Sequence, residues 1–209
     1  MKLFMIPVLV GLVLSCAQSP ATAQEFKEHV SKEFTVSKAA TGALAIYNLN
    51  GFIKVEGYSG DKIVVEVDKS ITAKNNQDLE AGKKELQLQF DQQGDSVMVY
   101  IAEPYDTRPR RNRNRGWNND RDVDYDFTLN FTVKVPNRMN LVVSTVNRGN
   151  VTVKDVEGTL KARNVNGAIT LTNVKGTTDA HTINGNLDVD YVANPPKTHL
   201  IIPSTGILT

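Results

Sequence analysis

Val151-Thr152-Val153-Lys154-Asp155-Val156-Glu157-Gly158, Ile169-Thr170-Leu171-Thr172-Asn173-Val174-Lys175-Gly176 and Leu187-Asp188-Val189-Asp190-Tyr191-Val192 are versions of one phrase, spaced eighteen residues apart. Between them Leu160, Ala162 and Val165 return as Thr178, Ala180 and Ile183. Gly149, Gly158, Gly167, Gly176 and Gly185 follow one another at intervals of nine. Self-similarity at a fixed period marks a repeat whose units bury their apolar faces only against neighbours. Apolar and polar residues alternate within each phrase, so the segments read as strands. Strand-plus-glycine segments paired into longer coils predict an all-β chain. It would hold β-solenoid (β-helix-like) coils, an N-terminal β-rich region and one short helix.

Working outward, the same phrase sits about a hundred residues earlier, in Asn48-Leu49-Asn50-Gly51-Phe52-Ile53-Lys54-Val55 and on to Tyr58 and Gly60. The interval from Gly51 to Gly60 matches that from Gly149 to Gly158, and Tyr58 takes the place of Val156. Glu25 to Glu33 reads as a polar lead-in, with a first short strand at Phe34 to Ser37. Lys62 to Thr72 is a longer strand with Ile63, Val65 and Val67 on one face. Asn75 to Leu86 is the predicted helix, capped by Asn75 or Asn76 and weakened at Gly82 by about 1 kcal/mol relative to alanine. Gln92-Gln93-Gly94-Asp95 signals a hairpin. Tyr125 to Val135 alternates without a break, ends at Pro136-Asn137, and leads through Leu141 to Ser144 into the repeat. Asn166-Gly167 and Asn184-Gly185 recur at equivalent heights, where asparagine tolerates left-handed backbone and can bond to the next amide in a stack.

The organisation expected is a signal peptide over 1–23 and a β-rich region with the divergent coil over 24–137. Solenoid repeats follow over 138–196, then an aberrant tail over 197–209. A chain of 209 residues suits one large or two small domains. Its 24 Lys and Arg against 23 Asp and Glu give a net charge of +1, which offers no general attraction for nucleic acid. Cys16, the one cysteine, excludes a disulfide framework and a multi-cysteine metal site. Lys2, the apolar run from Leu3 to Leu14 and Ala21-Thr22-Ala23 before Gln24 form a secretory leader. That run is too short to span a bilayer of roughly 30 Å as a helix. Val13-Leu14-Ser15-Cys16 is also a lipobox-like string, so lipidation of Cys16 is the alternative to ordinary cleavage. Either route exports the protein to the periplasm, outer membrane or cell surface, with a lipid anchor as its sole tie to a membrane.

Gln24 through Tyr191 resembles a family of exported bacterial β-strand-repeat proteins common in Bacteroidota. The resemblance is carried by Ala45-Ile46-Tyr47-Asn48-Leu49-Asn50-Gly51, the Val-Asn-Gly and Ile-Asn-Gly coils and an arginine-rich loop. Members are named as candidate adhesins of unknown function. The resemblance implies export and surface binding, and it brings no catalytic residues. It stops after Asn194-Pro195-Pro196-Lys197.

Arg108, Arg110, Arg111, Arg113 and Arg115, with Arg121 and Trp117, are the main candidate site. Guanidinium forks beside an aromatic ring suit sulfate, phosphate or carboxylate groups. Asp106, Asp120, Asp122, Asp124 and Asp126 offset their charge, which favours an ordinary solvated loop. Asp188 and Asp190 share one outward face, with Asp179 in the preceding coil. Such carboxylates can hold calcium or act as acid and base, but on a terminal coil they also discourage edge pairing. His29, His181 and His199 have no metal-ligand spacing, and no nucleophile elbow, phosphate loop or zinc motif is present. The sequence thus predicts an exported non-catalytic envelope protein without a cofactor. Its expected partners are glycans, polyanions or other surface proteins, and not nucleic acid. The alternatives are a β-helix enzyme on acidic polysaccharide, using Asp188, Asp190 and the loop arginines, and a periplasmic structural or stress-linked protein without ligand.

Thr198 to Thr209 breaks the repeat. With synonymous codons chosen freely, reading that segment from the third base gives Ser-Ser-Tyr-Tyr-Thr-Leu-Asn-Gly-Asp-Ile-Asn. Its Thr-Leu-Asn-Gly-Asp-Ile follows the pattern of Thr182-Ile183-Asn184-Gly185-Asn186-Leu187, displaced by two residues that Asn194-Pro195-Pro196 would absorb. One base of each shifted triplet is free and the others are mostly set by the protein. The expectation is a frameshift or misassembly near Lys197. The gene's own codons decide it, since they must spell Leu-Asn-Gly-Asp in the shifted frame.

Overall fold

A computed structural model describes residues 23–109 and 123–192, together with the backbone of 198–201. In chain order the elements are β1 (Gln24–Thr35), β2 (Ala43–Tyr47), β3 (Ile53–Tyr58), β4 (Lys62–Ala73), α1 (Asn76–Glu85), β5 (Leu88–Gln93), β6 (Ser96–Ile101), β7 (Tyr125–Pro136), β8 (Asn140–Thr145), β9 (Val151–Lys154), β10 (Leu160–Asn164), β11 (Ile169–Val174), β12 (Thr178–Thr182), β13 (Leu187–Tyr191) and β14 (Thr198–Ile201). They form two open seven-stranded sheets, ordered β1-β4-β7-β3-β9-β11-β13 and β14-β12-β10-β8-β2-β6-β5.

The fold is therefore all-β with one short helix, but the predicted β-solenoid is wrong. β4 runs antiparallel to both β1 and β7, and β5 to β6, so both sheets are mixed and neither closes into a coil. The reason lies in strand length and direction. β1, β4 and β7 each run for 12 residues, longer than a nine-residue rung allows, and the chain reverses between them instead of winding on.

The repeat sets the register of the parallel strands. Val151, Ile169 and Leu187 are direct partners across β9, β11 and β13, and Leu160 pairs with Thr178 across β10 and β12. Ile53 pairs with Val151, so the early copy of the phrase lies beside its later counterpart. Leu141 pairs with Leu160, one residue more than the usual step. The extra residue is Arg148, between Asn147 and Gly149, and it takes a left-handed φ of 59°. Inward apolar residues from both sheets, among them Phe131, Ile53, Ile169, Leu44 and Leu160, share one core. Strands from either side of residue 137 form contiguous blocks in both sheets and meet at β3–β9 in one and at β2–β8 in the other.

Two ladders tie the rungs together at the turns. On the outside, Asn184 donates its amide to Asn166 at 2.8 Å, Asn166 to Asn147 at 2.8 Å, and Asn147 to Asn50 at 3.3 Å. On the inside, the buried column Asn48, Thr145, Asn164 and Thr182 reaches the carbonyls of turn glycines. Asn48 and Thr145 donate to Gly51, Asn164 to Gly149 and Thr182 to Gly167. Buried carbonyls need such partners. Gly167 is required by crowding: a Cβ there would lie 2.2 Å from the Gly149 oxygen, while left-handed φ belongs to Gly176, at +117°.

The lead-in expected at Glu25 to Glu33 is part of β1, fully paired with β4. Its polarity is that of an edge strand, where charged side chains discourage further pairing. Phe26, Val30 and Phe34 still pack against the core. The helix starts at the predicted cap, with Asn75 accepting from the Asp78 amide at 2.9 Å. A Cβ on Gly82 would lie 2.9 Å from Ile71 and from the Tyr125 ring, so this glycine lets α1 approach the sheet. Tyr125 bonds to Tyr105 at 2.6 Å and donates to Glu85 at 2.8 Å. Burial, then these bonds, raises the Tyr125 pKa well above the ordinary phenol value. The backbone of Thr198–Ile201 continues the parallel pairing, with Thr178–His181, but Thr198 lies opposite Thr178 and so departs from the eighteen-residue step. Residues 1–22 and 202–209, hence most of the leader and the end of the tail, lie outside the described residues.

Candidate functional site

The outer faces of the sheets carry rows of side chains fixed by register. Thr132, Lys54, Thr152, Thr170 and Asp188 follow one another across β7, β3, β9, β11 and β13. On the other sheet Tyr100, Tyr47, Ser144, Arg163 and His181 form a second row. Arg163 grips Asp179 with two bonds, at 2.9 and 2.8 Å, so both side chains serve the sheet surface.

An open depression of 490 Å³ lies where β3 and β9 leave their turns, lined by Phe52, Ile53, Lys54, Arg148, Gly149, Asn150 and Thr152. Phe52, in the turn just before β3, is 38% exposed. Its backbone is held by β7: its amide donates to Asn130 Oδ1 at 3.2 Å, and its carbonyl accepts from Phe131 at 2.9 Å. Asn150 Oδ1 accepts from the Ala168 amide at 3.0 Å. Arg148 pairs through Nη1 with Asp126. Asp126 is in turn held by the Phe127 amide at 2.9 Å.

Of the arginine loop, Arg108 is described. Its guanidinium takes both oxygens of Asp106, at 2.7 and 3.1 Å, and its Cζ stands 4.4 Å from the Tyr100 ring centre. The bond to Asp106 comes first among the effects that raise its pKa. This residue is engaged locally. Arg110, Arg111, Arg113, Arg115, Arg121, Trp117 and Cys16 lie outside the described residues.

The carboxylates do not converge. Asp188 and Asp190 are on β13 in one sheet, whereas Asp179 is on β12 in the other. His29 is on β1, its Nδ1 2.8 Å from Asp68, and that bond favours the imidazolium and raises its pKa. His181 is on β12, in the opposite sheet. Among the described residues no three His, Cys, Asp or Glu side chains form a metal-holding group. Among them, too, no helix is long and apolar enough to cross a membrane.

Sequence reasoning missed the depression, although two departures from the repeat mark it. The residue after the turn glycine is Asn150, Ala168 or Asn186 in the later rungs and Phe52 in the early one. Arg148 is an insertion.

The sequence matches no family model and no curated protein. Solved structures are matched only at low similarity. One, a candidate cell adhesion protein from Clostridium sporogenes, is 8% identical over 84% of this chain and 100% of that one, with a TM-score of 0.36. A candidate adhesin from Bacteroides fragilis is 10% identical over 87% and 96%, with a TM-score of 0.27. A candidate lipid-binding protein from Parabacteroides distasonis is 12% identical over 86% and 95%, with a TM-score of 0.25. Their names differ, and likeness at this level transfers neither a family nor a function.

Proposed function

We propose that this protein is an exported, non-catalytic surface-binding module of the bacterial envelope, secreted or held by a lipid on Cys16. The observation that carries the proposal is the pair of open sheet faces. Their outward side chains stand in rows set by strand register, and an open depression interrupts one of those faces. A rigid face with repeated polar groups suits weak contacts made many times over, on glycans, polyanions or other envelope proteins. Such contacts gain affinity through multiplicity. The resemblance to exported strand-repeat proteins points the same way.

The test is to pass the mature protein over immobilised polysaccharides, acidic and neutral, and to assay both retention and cleavage. Retention without cleavage is expected. Cleavage of any retained polymer would overturn the non-catalytic reading in favour of an enzyme. Failure to be retained by any surface at low salt would overturn binding.

A further inference from the structure

Among the described residues the exposed large apolar side chains are Phe52, Ile183 and Val192. Ile183 and Val192 are the last members of columns whose earlier members, such as Leu49, Val156 and Val174, are buried. Phe52 is a different case: it sits in the turn just before β3, outward beside the buried Ile53, and β3 is flanked by β7 and β9. Later rungs put asparagine or alanine at this position.

The second departure from the repeat falls beside the first. Arg148 is added to a turn that other rungs make without it, and it adopts a left-handed φ of 59° that costs a non-glycine residue energy. The insertion places a guanidinium on the wall that also holds Phe52. Lys54 adds a second cation, and the lining contains no carboxylate. Asp126 engages Arg148 through Nη1, which leaves further N–H donors of the fork for another anion. Asn150 keeps its amide nitrogen as a donor, and Thr152 brings a hydroxyl.

We infer that the depression around Phe52 and Arg148 is a subsite for an anionic sugar ring, an inference that rests on the envelope-binding reading above. A pyranose has an apolar C–H face that lies flat on an aromatic ring, and its ring hydroxyls bond to amides and hydroxyls. A carboxylate or sulfate on the same ring meets the guanidinium in the geometry that arginine favours. A bare inorganic anion has no use for Phe52. A neutral sugar has no use for a guanidinium and an ammonium on one wall. The combination of one apolar platform with a few placed polar groups is how small-ligand sites gain specificity.

The test is affinity electrophoresis of the full chain in gels containing polygalacturonate, dextran sulfate or neutral dextran. The wild type should be retarded by polygalacturonate, by dextran sulfate or by both, and not by dextran. The arm that retards it assigns the carboxylated or the sulfated ring. Phe52→Ala and Arg148→Gly should each raise the dissociation constant more than tenfold with an unchanged melting temperature, since glycine accepts the left-handed backbone. If either variant melts early, Lys54→Gln, on the exposed face of β3, should still weaken binding several-fold. Equal retardation by dextran would overturn the anionic assignment. Binding that survives all three substitutions but is lost on changing Arg110, Arg111, Arg113 and Arg115 to serine would overturn the subsite and leave the envelope-binding reading standing. A wild type retarded by no polymer would overturn both.

Discussion

The parallel strands β9, β11 and β13 and the antiparallel strands β1, β4 and β7 lie in one sheet, yet they are built differently. In the parallel part each rung brings the same kinds of residue to the same height: Val151, Ile169 and Leu187 inward, threonines or aspartates outward, and a glycine at the turn. Its distinctive bonds are side chain to turn, in the columns Asn50–Asn147–Asn166–Asn184 and Asn48–Thr145–Asn164–Thr182. The antiparallel part has no period. Its strands are long, and β7 alone brings the core Tyr125, Phe127, Leu129 and Phe131. The difference teaches that a sequence repeat specifies the step between neighbouring rungs and leaves the rest of the sheet to length, direction and bulk.

That contrast is open to attack by substitution. The largest effect is expected at Phe131, fully buried in β7. Phe131→Ala should cost about 3–5 kcal/mol in urea denaturation, as for other large-to-small changes in a core. A loss comparable to a surface change would show that the antiparallel part does not hold the core. Next comes Gly167→Val, which pushes a side chain into the Gly149 carbonyl and should cost about 2–3 kcal/mol by overpacking. A neutral result would undo the close stacking of rungs.

Asn164 gives a sharper pair. It donates to the Gly149 carbonyl, while its own Oδ1 is buried without a hydrogen-bond partner. Thr145 and Thr182 do the same work in neighbouring rungs with a hydroxyl. Asn164→Val should therefore cost about 1–3 kcal/mol, the penalty for orphaned buried carbonyls, whereas Asn164→Thr should be close to neutral. Equal effects of the two would remove the inner column from the account. The smallest effect is expected at Gly82→Ala. Helix propensity favours alanine by about 1 kcal/mol, but the crowding by Ile71 and Tyr125 opposes it. Net destabilisation in thermal melting supports the close approach of α1, and a gain near the full propensity value contradicts it.

Much of the parallel architecture was legible in the letters. The eighteen-residue step, the asparagine ladder, a helix cap at Asn75 or Asn76 and the kinship of Gly51-Phe52-Ile53 with Gly149-Asn150-Val151 follow from the letters, while their pairing side by side and the choice of Asn75 come from the structure. The error was to read the repeats as solenoid coils, when their strands belong to two open mixed sheets. β4 and β7 alternate as any strand does, and alternation carries no sign of direction, so parallel and antiparallel neighbours read alike. β1 was hidden because an edge strand needs few apolar residues, here Phe26, Val30 and Phe34. The inner column was visible only as polar letters in inward positions, which spacing alone reads as defects. The depression was marked by an insertion and a misfit, and a search for agreement with the repeat passes over both.

The central claim is that these two kinds of construction share one core and stand or fall together. The most direct measurement is native-state amide exchange at Leu129, whose N–H is held by Asn50, and at Ile169, whose N–H is held by Asn186. The two amides report on β7 and β11 respectively. One core predicts equal opening free energies for both in the wild type, lowered together and by the same amount in Phe131→Ala. Loss of protection at Leu129 with Ile169 unchanged would show two independent units and contradict the account.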